Sequence, residues 1–256
     1  MKINLDGQVA LVTGAGRGIG EGIARMLAAN GAQVVYADRD ISTAKASAAK
    51  SPRAIPMLID ITDAAQVEAG IARIEKECGR LDILVNNAGI GIAGEFRVNV
   101  DQFSISEWER VLKVDLTGTF LVSRFAAQVM IKRKYGRIIN IASTLGVVPA
   151  RLQCAYTAAK AGVVHLSKTM AIELAPQNIL VNCIGPGTME NVYVAGSCLN
   201  DARDRILSHV PMGRPGTFED IAHAVTFFAA PENSYVTGQT LCVDGGWTAG
   251  GFFRDF

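Results

Sequence analysis

Residues 8–13 form a short apolar run that ends in glycines, the pattern of a strand buried on both faces. From 19 to 30 the period changes. Ile19, Ile23, Met26 and Leu27 recur at helical spacing, and Gly31 supplies a stop. A strand resumes over 34–37, followed by a strand over 55–59, a helix from Asp63 and a strand over 81–86. One long helix is predicted over 106–133, then a strand over 137–142, a helix over 155–175 and a strand over 179–184. A helix over 218–229 and a strand over 239–243 complete the series. Strand–helix alternation of this kind builds a parallel sheet, because right-handed crossovers place helices over both faces. The expectation is an α/β fold, a doubly wound sheet of seven parallel strands. No Pro- or Ser-rich linker or internal repeat interrupts residues 1–256, so they are read as a single domain.

Composition agrees with a packed core: 49% of residues are hydrophobic and 19% charged. Lys plus Arg number 25 against 24 Asp plus Glu, so the charge balance gives no argument for nucleic acid or a membrane surface as partner. No apolar run is expected to span a membrane, and no signal-peptide core precedes the first strand, which together predict a cytoplasmic protein. Cys78, Cys154, Cys183, Cys198 and Cys242 are scattered without a Cys-x-x-Cys pair, as are His165, His209 and His223, so no metal site is predicted.

Between the first strand and the first helix lies Thr13-Gly14-Ala15-Gly16-Arg17-Gly18-Ile19-Gly20. Glycine permits positive φ and close approach of backbone to a pyrophosphate, and the helix N-terminus adds free N–H groups and a partial positive charge. The spacing is Gly14, Gly18, Gly20 rather than a literal G-x-G-x-x-G, and Gly14, Arg17, Gly18, Ile19 and Gly20 are candidate cofactor-binding residues. Asp38 ends the second strand about twenty residues beyond the glycines, where a carboxylate can accept hydrogen bonds from ribose hydroxyls and would repel a 2′-phosphate. Arg17 and Arg39 suit a phosphate and pull the other way. A desolvated like-charge contact outweighs a missing attraction, so NAD is the predicted cofactor.

Read together with Asn86-Asn87-Ala88-Gly89, Ser143 and Tyr156-Thr157-Ala158-Ala159-Lys160, the glycine turn makes this sequence resemble the short-chain dehydrogenase/reductase family. Gly185-Pro186-Gly187 and Val243-Asp244-Gly245-Gly246-Trp247 extend the resemblance from Gly7 to Gly246. It implies a Rossmann-like fold and Ser143, Tyr156 and Lys160 as catalytic residues. Tyr156 and Lys160 are four apart and share a helix face. A phenol is ordinarily too weak an acid to serve as a base at neutral pH, and a lysine ammonium and a positive nicotinamide both favour the phenolate. Tyr156 then takes the carbinol proton as hydride leaves carbon, and Ser143 bonds the substrate oxygen. The resemblance further implies that Lys160 holds the ribose, that Asp60 and Ile61 flank adenine, that Asn87, Ala88 and Gly89 line the ribose, and that Pro186 and Gly187 sit beside the carboxamide.

Two positions depart from the family. Asp115, in Val114-Asp115-Leu116, stands where the family has an asparagine that helps place a proton-relaying water; aspartate lacks the amide donor, and the relay either survives with altered pH dependence or is weakened. Asn191 replaces a frequent threonine. Residues after Ser143 and a segment over 188–210 are implied to form the substrate pocket, with Arg151, Gln153, Asn191 and Tyr193 as candidate contacts. The predicted substrate is a small polar alcohol: a sugar, polyol or hydroxy acid. Three aromatics in 251–256, the end of a tail over 247–256, would expose an apolar patch unless docked on a neighbour or packed on their own domain, and the resemblance implies a commonly tetrameric assembly, so a homotetramer is favoured. The rival readings are an NADPH-linked 3-oxoacyl thioester reductase and a non-catalytic nucleotide sensor.

Overall fold

The computed structural model describes residues 3–92, 94–190, 204 and 206–250. Asn191, Tyr193, Cys198, the greater part of 188–210 and the aromatic end of the tail lie outside the described residues.

Seven parallel strands form one sheet: β1 (Val9–Thr13), β2 (Gln33–Asp38), β3 (Ala54–Leu58), β4 (Ile83–Asn86), β5 (Gly136–Ile141), β6 (Ile179–Pro186) and β7 (Thr240–Val243). Their spatial order is β3-β2-β1-β4-β5-β6-β7. The chain thus starts in the middle of the sheet, winds outward to β3, returns to β4 beside β1, and winds outward the other way. Loops leaving β1 and β4 diverge at this reversal, which opens a crevice at the carboxyl ends of the strands.

The strands read as continuous apolar runs because both faces are covered, and the period of two sorts their side chains between two cores. Ala10, Val12, Val34, Tyr36, Ile83, Val85, Ile139 and Ile184 face a core shared with α1 (Gly18–Ala29) and α7 (Phe218–Ala229). Their alternates Val9, Leu11, Val35, Leu84, Ile138 and Val181 face a core shared with α3 (Ala64–Cys78), α5 (Thr119–Arg133) and α6 (Cys154–Leu174). Full burial of each such aliphatic side chain contributes roughly 1.5–3 kcal/mol.

Three features differ from the expectation. A helix, α2 (Ile41–Ala48), follows β2; its Ser-, Thr- and Ala-rich sequence has too few large apolar residues to show a period, and its start is fixed by Asp40, which accepts from Ser42 N–H at 2.8 Å. The long helix is not uniform. It runs as α4 (Ile105–Leu112), a π-helical turn over Lys113–Gly118, then α5. Contrary to the expectation that no apolar run reaches membrane-spanning length, Ile105–Arg133 does so by length and composition; 56% of its most apolar stretch is buried inside the fold, where it covers the sheet.

Candidate active site

The turn after β1 is shaped by contacts that no side chain could share. Gly14 and Gly18 both take positive φ, +62° and +61°. A Cβ on Gly20 would collide with the carbonyl oxygen of Gly14, so α1 begins close against the turn that precedes it. Arg17 is the helix N-cap in extended backbone, and its side chain makes no capping hydrogen bond to the first N–H groups. Thr13 ties this turn to the one after β4: its Oγ1 accepts from Asn87 N–H at 3.0 Å and Ala88 N–H at 3.1 Å. The Asn87 amide donates back to the carbonyls of Thr13 and Gly14 at 3.0 and 3.2 Å.

These turns enclose a cleft of about 670 Å³. It gathers Gly14, Arg17, Gly18, Ile19, Gly20, Asp38, Asp60, Ile61, Asn87, Ala88 and Gly89, eleven of the residues the sequence singles out for cofactor binding. Its size suits a bound organic cofactor, which typically occupies a few hundred to about 1,000 Å³. Thr43, Val114 and Phe218 also line it, and nothing in the local sequence ties the start of α2, the π-helical turn or the start of α7 to this place. The Asp38 carboxylate is held at both oxygens: Oδ2 accepts from Gly16 N–H and Oδ1 from Asp40 N–H, each at 3.1 Å. Gly16 thus also belongs to the site, and its position inside the glycine turn is the sequence signal for it. Asp60 Oδ1 is engaged within its own turn by the N–H and hydroxyl of Thr62 at 2.9 and 2.8 Å.

The cleft ends at Gly89 and Ile90, and the remaining candidates lie beyond it along the same edge of the sheet. Lys160 and Tyr156 project from the first turns of α6, with the Lys160 Nζ 5.5 Å from the centroid of the Tyr156 ring. Lys160 is buried and donates to the carbonyl of Ile141, the last residue of β5, at 3.3 Å. Gly89 joins the two halves, since a Cβ there would lie 3.2 Å from the Lys160 Nζ. Ser143 caps a short 3-10 turn over Thr144–Gly146, its Oγ accepting from Leu145 N–H at 3.1 Å. That turn packs directly on α6: a Cβ on Gly146 would lie 2.7 Å from the Lys160 carbonyl oxygen. Pro186 ends β6 next door, and Gly187 follows it. The Pro186 carbonyl accepts from the Thr144 hydroxyl at 3.3 Å, and Gly187 N–H donates to Val243 at 3.0 Å. Gln153 precedes α6 as its N-cap, and Arg151 is exposed in the turn before it.

Asp115 enters this group from the π-helical turn. Both it and Lys160 are buried, and its Oδ2 lies 3.2 Å from the Lys160 Nζ. The contact is a charge pair and not an aligned hydrogen bond, since Oδ2 has no donor in hydrogen-bonding geometry. Burial alone would pull the Lys160 pKa down. The negative charge of Asp115, in close contact, outweighs it and holds the ammonium above its ordinary value. Cys183, on β6, is pushed up to about 11, chiefly by burial, and stays a neutral thiol. No three His, Cys, Asp or Glu side chains gather as a metal-binding set among the described residues.

Residues 14–248 match a family model described as "Enoyl-(Acyl carrier protein) reductase". The chain is 40% identical to the 3-oxoacyl-[acyl-carrier-protein] reductase FabG of Vibrio harveyi, over 95% of this chain and 98% of that one. It is 38% identical to a trans-4-hydroxycyclohexanecarboxylate dehydrogenase of Sinomonas cyclohexanicum, over 96% and 95% of the two chains. A crystal structure of a putative short-chain alcohol dehydrogenase from Sinorhizobium meliloti superposes with a TM-score of 0.91 at 31% identity, covering 96% of this chain and 98% of that one.

Proposed function

The chain belongs to the short-chain dehydrogenase/reductase family, and from that membership we propose that it is an NAD-preferring dehydrogenase acting on a small polar secondary alcohol, with a hydroxy acid ranked ahead of a sugar or polyol. The observation that carries the reaction class is the row formed by the Tyr156 ring, the buried Lys160 ammonium and the Ser143 turn packed on the same helix. Asp38 supports NAD: two backbone N–H groups fix its carboxylate at the cleft, leaving a negative charge where a 2′-phosphate would have to sit. Similarity to a hydroxy-acid dehydrogenase supports the substrate class.

Bound nicotinamide supplies the hydride acceptor or donor; the remaining work falls to the chain. The open turn before α1 and the Gly14 and Gly20 contacts leave backbone free to meet a pyrophosphate. We assign Asp60 and Ile61 to adenine, Asn87, Ala88, Gly89 and Lys160 to ribose, and Pro186 and Gly187 to the carboxamide. In oxidation the Tyr156 Oη takes the carbinol proton, and in reduction it returns it. The Lys160 ammonium favours the phenolate by charge. Ser143 Oγ already accepts from Leu145 N–H, so its own O–H is the part available to the substrate oxygen.

A second reading, reduction of a 3-oxoacyl thioester, is favoured by the likeness to FabG proteins. Initial rates with NAD and NADP across hydroxy acids, polyols, sugars and a 3-oxoacyl thioester separate the two. The first reading expects a lower Km and higher turnover with NAD on a hydroxy acid. Preference for NADP and the thioester would replace it with the second. Tyr156→Phe is expected to lose at least about 10²–10⁴-fold in turnover while still binding NAD; substantial retained activity would remove Tyr156 from its role. We further take residues 1–256 as one functional unit with its substrate segment over 188–210. The described cysteines Cys78, Cys154, Cys183 and Cys242 are all free thiols, which supports a reducing, cytoplasmic setting.

A further inference from the structure

We propose that Asp115 is the fixed counter-ion of Lys160, a carboxylate that keeps this buried ammonium charged and in place. Its role is therefore that of a positioning residue acting through charge, distinct from a relay through an amide. The inference rests on the reading of Lys160 as the group that acts on Tyr156, and its tests are chosen to stand without turnover.

The local fold aims the side chain. Where α4 passes into α5 the helix widens into a π-helical turn, and Asp115 lies within it. Its Oδ1 accepts from Ile90 N–H at 2.8 Å, which pins the carboxylate to the loop after β4. That leaves Oδ2 toward Lys160, fully buried and with no aligned donor, so ion pairing is what offsets its loss of water. The Thr119 hydroxyl donates to the Asp115 carbonyl at 2.9 Å and holds the turn from the α5 side.

The surroundings leave this pairing to Asp115. On the helix of Lys160 itself the titratable neighbour is Tyr156; from β6 it is Cys183, a neutral thiol. Arg110 of α4 acts on Asp115 from a distance, but its guanidinium is committed to Glu107 through two bonds of 2.7 and 2.6 Å. Gly89 contributes no charge, and a Cβ there would crowd Lys160 and both Asp115 oxygens, at 3.2, 3.4 and 3.4 Å. Among the described residues Asp115 is the one carboxylate paired with Lys160. An asparagine in its place could keep the Ile90 bond through its carbonyl but would bring no charge to set against burial of the ammonium.

Carbon NMR titration of the lysine side chains, in protein free of nucleotide and substrate, reads this directly, with the Lys160 signal identified by its loss in Lys160→Met. At a fixed alkaline pH, Asp115→Asn is expected to raise the neutral-amine fraction of Lys160 by about tenfold, the equivalent of one pH unit. The alkaline fall of turnover should move to lower pH with it. An unchanged Lys160 titration in a folded Asp115→Asn protein overturns the proposal. A thermal-melting comparison decides the matter even where that variant does not fold. Lys160→Met should melt below the parent at neutral pH by stranding the carboxylate, and Lys160→Met/Asp115→Asn should recover most of the loss. Equal melting of the single and double variants would also overturn it. Failure of the dehydrogenase reading would appear as absent turnover in the parent protein and would leave both of these measurements intact.

Discussion

A buried amide has four hydrogen-bonding positions to satisfy, and Asn140 shows how satisfying them can brace a site. It lies fully buried near the carboxyl end of β5. Its Oδ1 accepts from the Asn86 amide of β4 at 2.8 Å, and its own Nδ2 donates to Ser167 of α6 at 2.8 Å. Asn86 also donates to Ser123 of α5 at 2.8 Å. One short polar chain therefore connects β4 and β5, whose following loops hold Gly89 and Ser143, with α5 and with α6, which carries Tyr156 and Lys160. Asn140→Ala leaves buried partners on both sides unsatisfied and is expected to cost about 1–3 kcal/mol in urea unfolding. A cost near zero would mean that the network is dispensable. The motif Asn86-Asn87-Ala88-Gly89 was legible in the sequence, but Asn140 and Ser167 were not. Polar residues inside apolar runs give no sign of whom they bond until the strands are paired.

At the scale of elements, α7 depends on its first turn. The Thr217 hydroxyl accepts from Asp220 N–H at 3.2 Å, and Asp220 Oδ2 accepts from Thr217 N–H at 2.8 Å and from Arg214 at 2.9 Å. Phe218, the next residue, lines the cleft and presses on Gly22 of α1, so this cap also locates one of its walls. Thr217→Ala is expected to lower stability by about 1 kcal/mol in denaturant unfolding, and no loss would show the cap to be redundant. The Arg214 side chain, with the Thr217 bonds, holds the Asp220 carboxyl below its ordinary value of 3.8. A carboxylate lowered in this way stabilises the fold above its unfolded pKa and ceases to do so as pH falls through the folded one. Acid unfolding should therefore be less steep below about pH 4 in Asp220→Asn than in the parent; identical acid limbs would discount the pair. The other helices show the limits of periodicity. It found α1, α3 and α6, but α2 carries too little apolar pattern. The π-helical turn was invisible because α5 buries residues on several of its faces, so a one-residue shift of phase leaves no clear break in the apolar pattern.

For the whole molecule, the described surface carries several large apolar side chains on neighbouring helices and at the β7 edge. Ile172 of α6 is 78% exposed and Tyr235 is 96% exposed; Phe120 and Ile131 of α5 and Leu241 of β7 are also exposed. Scattered singly such residues mean little, but α5 and α6 lie side by side over one face of the sheet. We expect these residues to be buried against copies of the chain, and sedimentation velocity to find a homo-oligomer, a tetramer foremost. A monomer at micromolar concentration would dismiss this. Charged replacements at Ile172 and Phe120 should reduce the assembly, with the fold unchanged by circular dichroism.

Sequence alone determined the parallel sheet, because burial on two faces and helical spacing between strands are local patterns that do not depend on which strands meet. It also determined the glycine turn and the Tyr156–Lys160 spacing, since each lies within one turn or one helix. Only the tertiary structure decided which distant groups share a charge or a proton donor: Gly16 with Asp38, Asn86 with Asn140, Asp115 with Lys160. Such pairings follow from the strand order, which brings β4 beside β1 and lays the π-helical turn over the start of α6. The same aspartate letter in the sequence is compatible with a solvated turn, a helix cap or a buried counter-ion, and what separates these is the dielectric and the partner that folding supplies.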